Sequence, residues 1–275
     1  MNGHLCDDIK SRIAKDVLVR LNAFLLSYFG WMFFSILYIY IGRWSVDVTE
    51  QFIKLPFNSR DFILTLLNTT KSIPPVYHLL NAVYYIGFAG SIAFMVLYVL
   101  IYLKDFQTSD ELLARYFIAY ATAGAIYLTF HIYAPHYVYN VPGYDTDNLF
   151  TRQEFVLPSL HNTFAAIHII TIWKYRKRLG GKVLLTINTL IPFATVLLIH
   201  HWIYDVLTGF LLAWAISSLT DGWMAKIPRT LYQLEIRSLS AITLLNFLLA
   251  ALLLLFSLEP PQKWILLFRA LLNQP

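Results

Sequence analysis

The sequence predicts an all-α, polytopic bundle of about six to seven membrane-spanning helices. Three observations carry that reading. The chain is 58% hydrophobic and 13% charged, where soluble domains average about 25% charged residues. Apolar runs recur near the roughly 20-residue length that crosses a bilayer core. Lys and Arg collect in alternate segments between those runs, as they do in cytoplasmic loops. The net charge of +5 follows from that bias and implies no nucleic acid. A single cysteine, Cys6, excludes an intrachain disulfide and a cysteine-rich metal site.

The N-terminal stretch MNGHLCDDIKSRIAKDVLVR is too polar for a cleaved signal peptide, so the first apolar run is expected to be retained as a span. Predicted spans cover roughly 21–41, 76–103, 115–134, 183–200, 205–223 and 239–257. A shorter stretch, 159–173, brings the number to about seven. The segment 50–68 and the tail PPQKWILLFRALLNQP mix charged and apolar residues and read as interfacial. No internal repeat or linker interrupts the pattern. The expectation is one integral membrane domain over 1–275, with a catalytic core at about 115–223.

With the N-terminus in the cytoplasm, alternation puts fourteen Lys and Arg inside and seven outside, the bias the positive-inside rule requires. The run KYRKRLGGK is the densest basic segment, and it joins the span that begins near His161 to the span that ends near His200. Both histidines are therefore expected at the opposite, extracytoplasmic or lumenal end.

Those histidines lie in two short motifs, Pro158-Ser159-Leu160-His161 and His200-His201-Trp202-Ile203-Tyr204-Asp205. Ionisable groups at membrane depth are costly and are functional candidates by default. Spacing of four places His201 and Asp205 on one face of a helix. A carboxylate that accepts from one imidazole nitrogen fixes the tautomer and leaves the other nitrogen basic, an activated-nucleophile arrangement. Pro158-Ser159 reads as a helix start, whose N–H groups and dipole favour an anion. The set offers a nucleophile, an orienting acid, a general acid and a phosphate cradle.

The paired motifs PSLH and HHWIYDVLTG resemble the type-2 phosphatidate phosphatase superfamily, and more narrowly its inositol phosphorylceramide synthase-like branch. The resemblance covers roughly 125–215 and implies a phosphohistidine mechanism on a helical bundle. It makes His201 the nucleophile, Asp205 its orienter and His161 the proton donor, with Ser159, Leu160, His136, His200 and Arg152 as substrate-binding candidates. Two departures matter. The superfamily's Lys, six residues, Arg-Pro motif is absent, and the corresponding stretch reads HIYAPHYVYNVPGY. Ala194-Thr195 stand where Ser-Arg often precede the nucleophile. Fewer cations suit a singly charged phosphodiester better than a doubly charged monoester, which tilts the reading toward head-group transfer.

Other residues have plainer readings. His168, two turns below His161, is expected to pack; His131 is a weaker site candidate than His136. Asp145, Asp147 and Glu154 are expected to be solvated in a loop, and Asn68-Thr69-Thr70 is a glycosylation sequon. The expected partners are a lipid substrate from the bilayer and a hydroxyl acceptor, lipid or water. The scheme requires no metal or cofactor. Two other classes remain open from sequence: a haem protein, since paired intramembrane histidines ligate iron, and a transporter or scaffold, although the matched broken helices of transporters are not evident.

Overall fold

The computed structural model describes residues 2–144, 152–221 and 229–258, with side chains over 10–144, 152–221 and 231–253. The elements follow one another as α1 (Asn2–Ile41), a 3₁₀ turn, β1 (Val46–Asp47), α2 (Thr49–Phe52), α3 (Arg60–Lys71), α4 (Pro74–Ala82) and α5 (Phe88–Leu97). Then come α6 (Phe106–Thr129), β2 (Phe130–His131), α7 (Pro135–Val138), α8 (Leu160–Ile172), α9 (Leu179–Leu197), α10 (Ile203–Leu219), α11 (Arg229–Gln233) and α12 (Ile236–Leu258). Helices α4 and α5 form one continuous rod, Pro74–Leu103, because π turns at Val83–Gly87 and Tyr98–Leu103 join and extend them.

Among the described residues, five helical segments are long and apolar enough to cross a membrane: α1, the α4–α5 rod, α6, α9 and α12. The other two expected spans are shorter, with α10 at 17 residues and α8 at 13. Their position explains the shortness. Nine of the thirteen residues of α8 are buried, so its polar backbone ends meet protein rather than lipid, the setting in which short or irregular segments are tolerated at membrane depth.

The predicted start of the third span at 115 falls nine residues late. The first turns of α6 are charged, and the charges are used inside the bundle. Arg20 on α1 grips Asp110 with two bonds of 2.9 Å, and Arg115 donates to Thr171 on α8 at 2.8 Å. A polar sequence here is a helix whose polar groups face partners. Asp105 caps α6 by accepting from the Thr108 N–H at 3.0 Å, and it also receives Lys174 at 3.0 Å and the Tyr175 hydroxyl. Burial pushes the Asp105 carboxyl up, but these donors together hold it below the usual carboxylate range. The turn between α8 and α9 is thus tied to the start of α6. Two residues after Arg20, Asn22 joins α1 to α12 through Thr243 (2.7 Å) and Asn246 (2.8 Å), the interhelical bonding that substitutes for hydrophobic driving force in lipid.

Helix α10 lies against α8 backbone to backbone. A Cβ on Gly209 would stand 2.8 Å from the Ser159 carbonyl oxygen and 3.2 Å from the Thr163 nitrogen, so no larger residue fits without moving a helix. The Ser159 N–H also donates to the Asp205 carbonyl at 3.3 Å. The starts of the two helices are held side by side.

The segment 50–68 folds mainly as α2 and α3. Ile63 and Leu67 of α3 are buried in a cluster with Ile132, Ala134, Val156, Ile199 and Trp202, closing the histidine-bearing end of the bundle. Beside it β1 pairs in parallel with β2, Val46 opposite Phe130 and Asp47 opposite His131. The tail at 260–275 lies outside the described residues.

The orientation expected from the basic run is open to a direct test. With Cys6 replaced, a cysteine at Lys177, which is exposed in that run, should resist a membrane-impermeant maleimide in intact cells. One at Pro142, exposed near the histidine-bearing end, should react. The reverse pattern would put the histidines on the cytoplasmic side.

Candidate active site

Two helix starts and one helix end converge below the α3 cluster. Ser159 caps α8: its hydroxyl accepts from the Asn162 N–H at 3.4 Å and from Asn162 Nδ2 at 2.9 Å. Asn162 Nδ2 also donates to Thr195 Oγ1 at 3.1 Å. Thr195 then organises the end of α9, because its carbonyl accepts the N–H groups of both His200 and His201 at 3.0 Å. Ile199, at φ +53°, turns the chain there. Thr195, fully buried, therefore ties α8 to the turn carrying both histidines.

The spacing argument placed His201 and Asp205 on one helical face. The structure brings them together differently. His201 precedes α10, and Asp205 is in its first turn. Asp205 Oδ2 accepts from the Trp202 N–H at 2.7 Å, so the carboxylate caps the helix that follows the histidine. His201 Nδ1 lies 3.5 Å from Asp205 Oδ2, longer than a well-formed N–H···O bond. His201 Nδ1 and Asp205 Oδ1 are both buried without a hydrogen-bond partner. Catalytic hydrogen bonds are often loose before substrate arrives, and a small rotation of the ring would close this one. The opposite nitrogen, His201 Nε2, is 3.2 Å from His161 Nδ1.

Aromatic rings fix these imidazoles. His161 packs on Phe88, with centroids 4.3 Å apart, and on Tyr84 at 5.1 Å. His200 stacks flat on Tyr84 at 3.8 Å. His136 comes within 5.3 Å of His200 and stacks on Tyr144 at 4.5 Å. Its Nδ1 meets the Ile199 carbonyl at 3.1 Å. Burial lowers the His136 pKa more than that carbonyl and the Gln153 side chain raise it, so the empty site holds this ring neutral. Four imidazoles therefore gather where cationic side chains were expected. Arg152 reaches the same place but pairs with Glu154 at 3.3 Å, which corrects the reading of Glu154 as merely solvated. Asp145 and Asp147 lie outside the described residues.

A cavity of 730 Å³ starts at this cluster and runs into the bundle. His136, Arg152, Leu160, His161, His200 and His201 line its head. Ser159 and Asp205 do not reach it: both are fully buried behind the wall, so Ser159 is a cap rather than a substrate contact. The body of the cavity is apolar and aromatic, with Trp31 and Tyr28 from α1, Phe88 and Ile92 from α5, Tyr120 from α6 and Phe247 from α12. These residues are remote from the motifs in sequence. The only signal for them was aromatic content, which membrane interfaces explain equally well.

Two further histidines, His168 and His131, are structural. His168 is fully buried, with Nδ1 2.9 Å from Asn188 Oδ1 and Nε2 bonded to the Tyr116 hydroxyl. His131 is held by Ser45 at 3.1 Å. Among the described residues no three His, Cys, Asp or Glu side chains come together as metal ligands. What the arrangement offers is a basic nitrogen with a carboxylate behind it, a second imidazole facing it, and an apolar channel leading away.

Two comparisons with known proteins find a match. Residues 111–229 match the family model of the PAP2 superfamily, a range that contains α8, α9, α10 and every histidine of the cluster. An uncharacterized protein of Methanocaldococcus jannaschii is 29% identical over 229 residues, covering 79% of this chain and 89% of that relative. No solved structure matches the chain.

The double use of Asp205 predicts separable defects. Asp205→Ala removes the acceptor for the Trp202 N–H and should cost about 1–3 kcal/mol of stability, the penalty of an orphaned buried donor. Asp205→Asn keeps an acceptor there and should unfold within a few degrees of the parent. Thermal unfolding in detergent compares the two; equal losses would mean that the cap is not what Asp205 contributes to the fold.

Proposed function

We propose that this chain is an integral membrane enzyme of the PAP2 superfamily that transfers a phosphoryl or phosphodiester group from a lipid through a histidine. The match over 111–229 supports the phosphatase or phosphotransferase class. The observation that carries the finer reading is the 3.2 Å contact between His201 Nε2 and His161 Nδ1 at the head of an apolar cavity. A lipid tail fits the apolar channel while its phosphate meets the imidazoles.

In this reading His201 Nε2 attacks phosphorus and the bond to the leaving oxygen breaks. That oxygen takes a proton from His161. Asp205 accepts the Nδ1 proton of His201 as a hydrogen bond and steadies the charge that develops on the ring. In the second half His161 takes the proton of the acceptor hydroxyl, whose oxygen attacks phosphorus and breaks the N–P bond. Near-attack geometry needs about 3 Å between reacting atoms, so substrate must part the two rings.

Substrate charge selects between donors. The head of the cavity has four imidazoles and one arginine already paired with Glu154. A singly charged phosphodiester suits that lining better than a doubly charged monoester, which supports head-group transfer of the inositol phosphorylceramide synthase type over hydrolysis of phosphatidate or a polyprenyl phosphate. With water as acceptor, the same residues make a lipid phosphatase. The positive-inside bias supports an active site on the extracytoplasmic or lumenal side.

Purified protein should release head group from an inositol phospholipid faster when a lipid hydroxyl acceptor is supplied, and should turn over a monoester slowly. His201→Ala should remove turnover on every substrate while leaving the unfolding temperature nearly unchanged. His161→Ala should slow poor leaving groups more than good ones, on the order of 10²–10⁴ for the most basic leaving oxygen. Equal slowing across the series would give His161 a binding role instead.

A further inference from the structure

A second cavity lies at the opposite end of the bundle, where the α4–α5 rod ends beside the start of α9. It measures 570 Å³ and is lined by Phe94, Tyr98, Tyr102, Arg178, Leu179 and Val183, with Gly180 at its floor. Tyr84 of the histidine cluster and Tyr98 are fourteen residues apart on one rod, about 20 Å at the helical rise. This site is therefore separate from the chemistry.

Three features at this place ask for an anion. Helix α9 has nineteen residues, and its N-cap is Arg178 with no side-chain cap bond, so no side chain of its own caps the first-turn N–H groups at the positive dipole end. The Tyr98 hydroxyl is buried and has no hydrogen-bond partner. It sits at that first turn: the ring carbon that bears it would be 2.6 Å from a Cβ on Gly180, so glycine is what lets the phenol come so close. Third, Arg178 lines the cavity, and Arg176, Lys177 and Lys182 are exposed near it in sequence. Among the described residues none of the four has an ion-pair partner; the nearby Asp105 is taken by Lys174 and Tyr175. Arg178 instead lies over the Tyr175 ring at 5.6 Å.

The rest of the cavity is apolar and faces outward. Leu179 is 79% exposed and Tyr102 71%, a surface made for hydrocarbon rather than water. An anionic head over an apolar flank describes a phospholipid of the leaflet at this end, held by its phosphodiester.

We propose that the cleft between Tyr98 and the first turn of α9 binds one anionic phospholipid, its phosphate on the α9 amides, Arg178 and the Tyr98 hydroxyl and its chain along Phe94 and Val183. Such a lipid would grip the start of the helix whose other end carries His200 and His201. Basic residues near a membrane surface attract anionic lipid in general; the uncapped helix and the orphaned phenol make this one a site with stoichiometry.

The test uses the full-length protein, delipidated in detergent, with phosphatidylglycerol and phosphatidylcholine as probes in native mass spectrometry. One phosphatidylglycerol should stay bound, and phosphatidylcholine should not. Arg178→Gln should weaken retention about tenfold and Tyr98→Phe about fivefold, as expected for lost hydrogen bonds to a charged group. Inorganic phosphate at the same concentration should not displace the lipid. Retention unchanged in Tyr98→Phe or Arg178→Gln, equal retention of both lipids, or displacement by inorganic phosphate would each overturn the proposal. Tyr98→Phe keeps the ring that packs on Gly180, and Arg178 is exposed, so both variants should fold; Lys182→Gln, outside the cavity lining, should weaken retention less than either.

Discussion

The candidate site depends on how closely α8 and α10 approach at their N-termini. Gly209 lets the two backbones meet, and the Ser159 N–H bonds to the Asp205 carbonyl. With that crossing fixed, two residues forty apart in sequence have little freedom left. His161, two positions past the α8 cap, must face the link before α10, and His201 on that link must face back. Thr195 locks the third side, since it holds Asn162 of α8 through its hydroxyl and both histidine amides through its carbonyl. A lipid bilayer gives such contacts their importance: with no hydrophobic force between helices, close backbone packing and interhelical hydrogen bonds decide the geometry.

The same constraint shapes the electrostatics. Several buried polar groups of the bundle are matched: Arg20 with Asp110, His168 with Tyr116 and Asn188, Asn22 with Thr243. At the histidine cluster the matching is left incomplete. His201 Nδ1 and Asp205 Oδ1 are buried and unpaired, an arrangement that costs free energy. They stand at the head of the apolar channel, His201 lining it and Asp205 behind its wall.

Much of this was legible in the residues. Apolar run lengths gave the helices, and two histidine motifs in a membrane chain pointed to one end of the bundle. The details that failed were those in which a polar residue serves structure. The charged start of α6 reads as loop because Asp110 and Arg115 look solvated, yet both are bonded to other helices. Ser159 reads as the α8 cap, which it is, but also as a substrate contact, and it lies behind the cavity wall. His201 and Asp205 read as one helical face, whereas Asp205 bends back to cap the turn. The channel could not be read at all, since Trp31, Phe88, Tyr120 and Phe247 come from four helices and nothing in their local sequence says which way they point.

The central claim is that phosphorus passes through His201. Rapid quenching of the protein with a radiolabelled phospholipid donor, followed by digestion and mass spectrometry, tests it most directly. The account predicts an acid-labile, alkali-stable adduct on the peptide containing His201, absent in His201→Ala and accumulating when no acceptor is present. Turnover with no label on that peptide at any time, or an adduct that persists in His201→Ala, would contradict it.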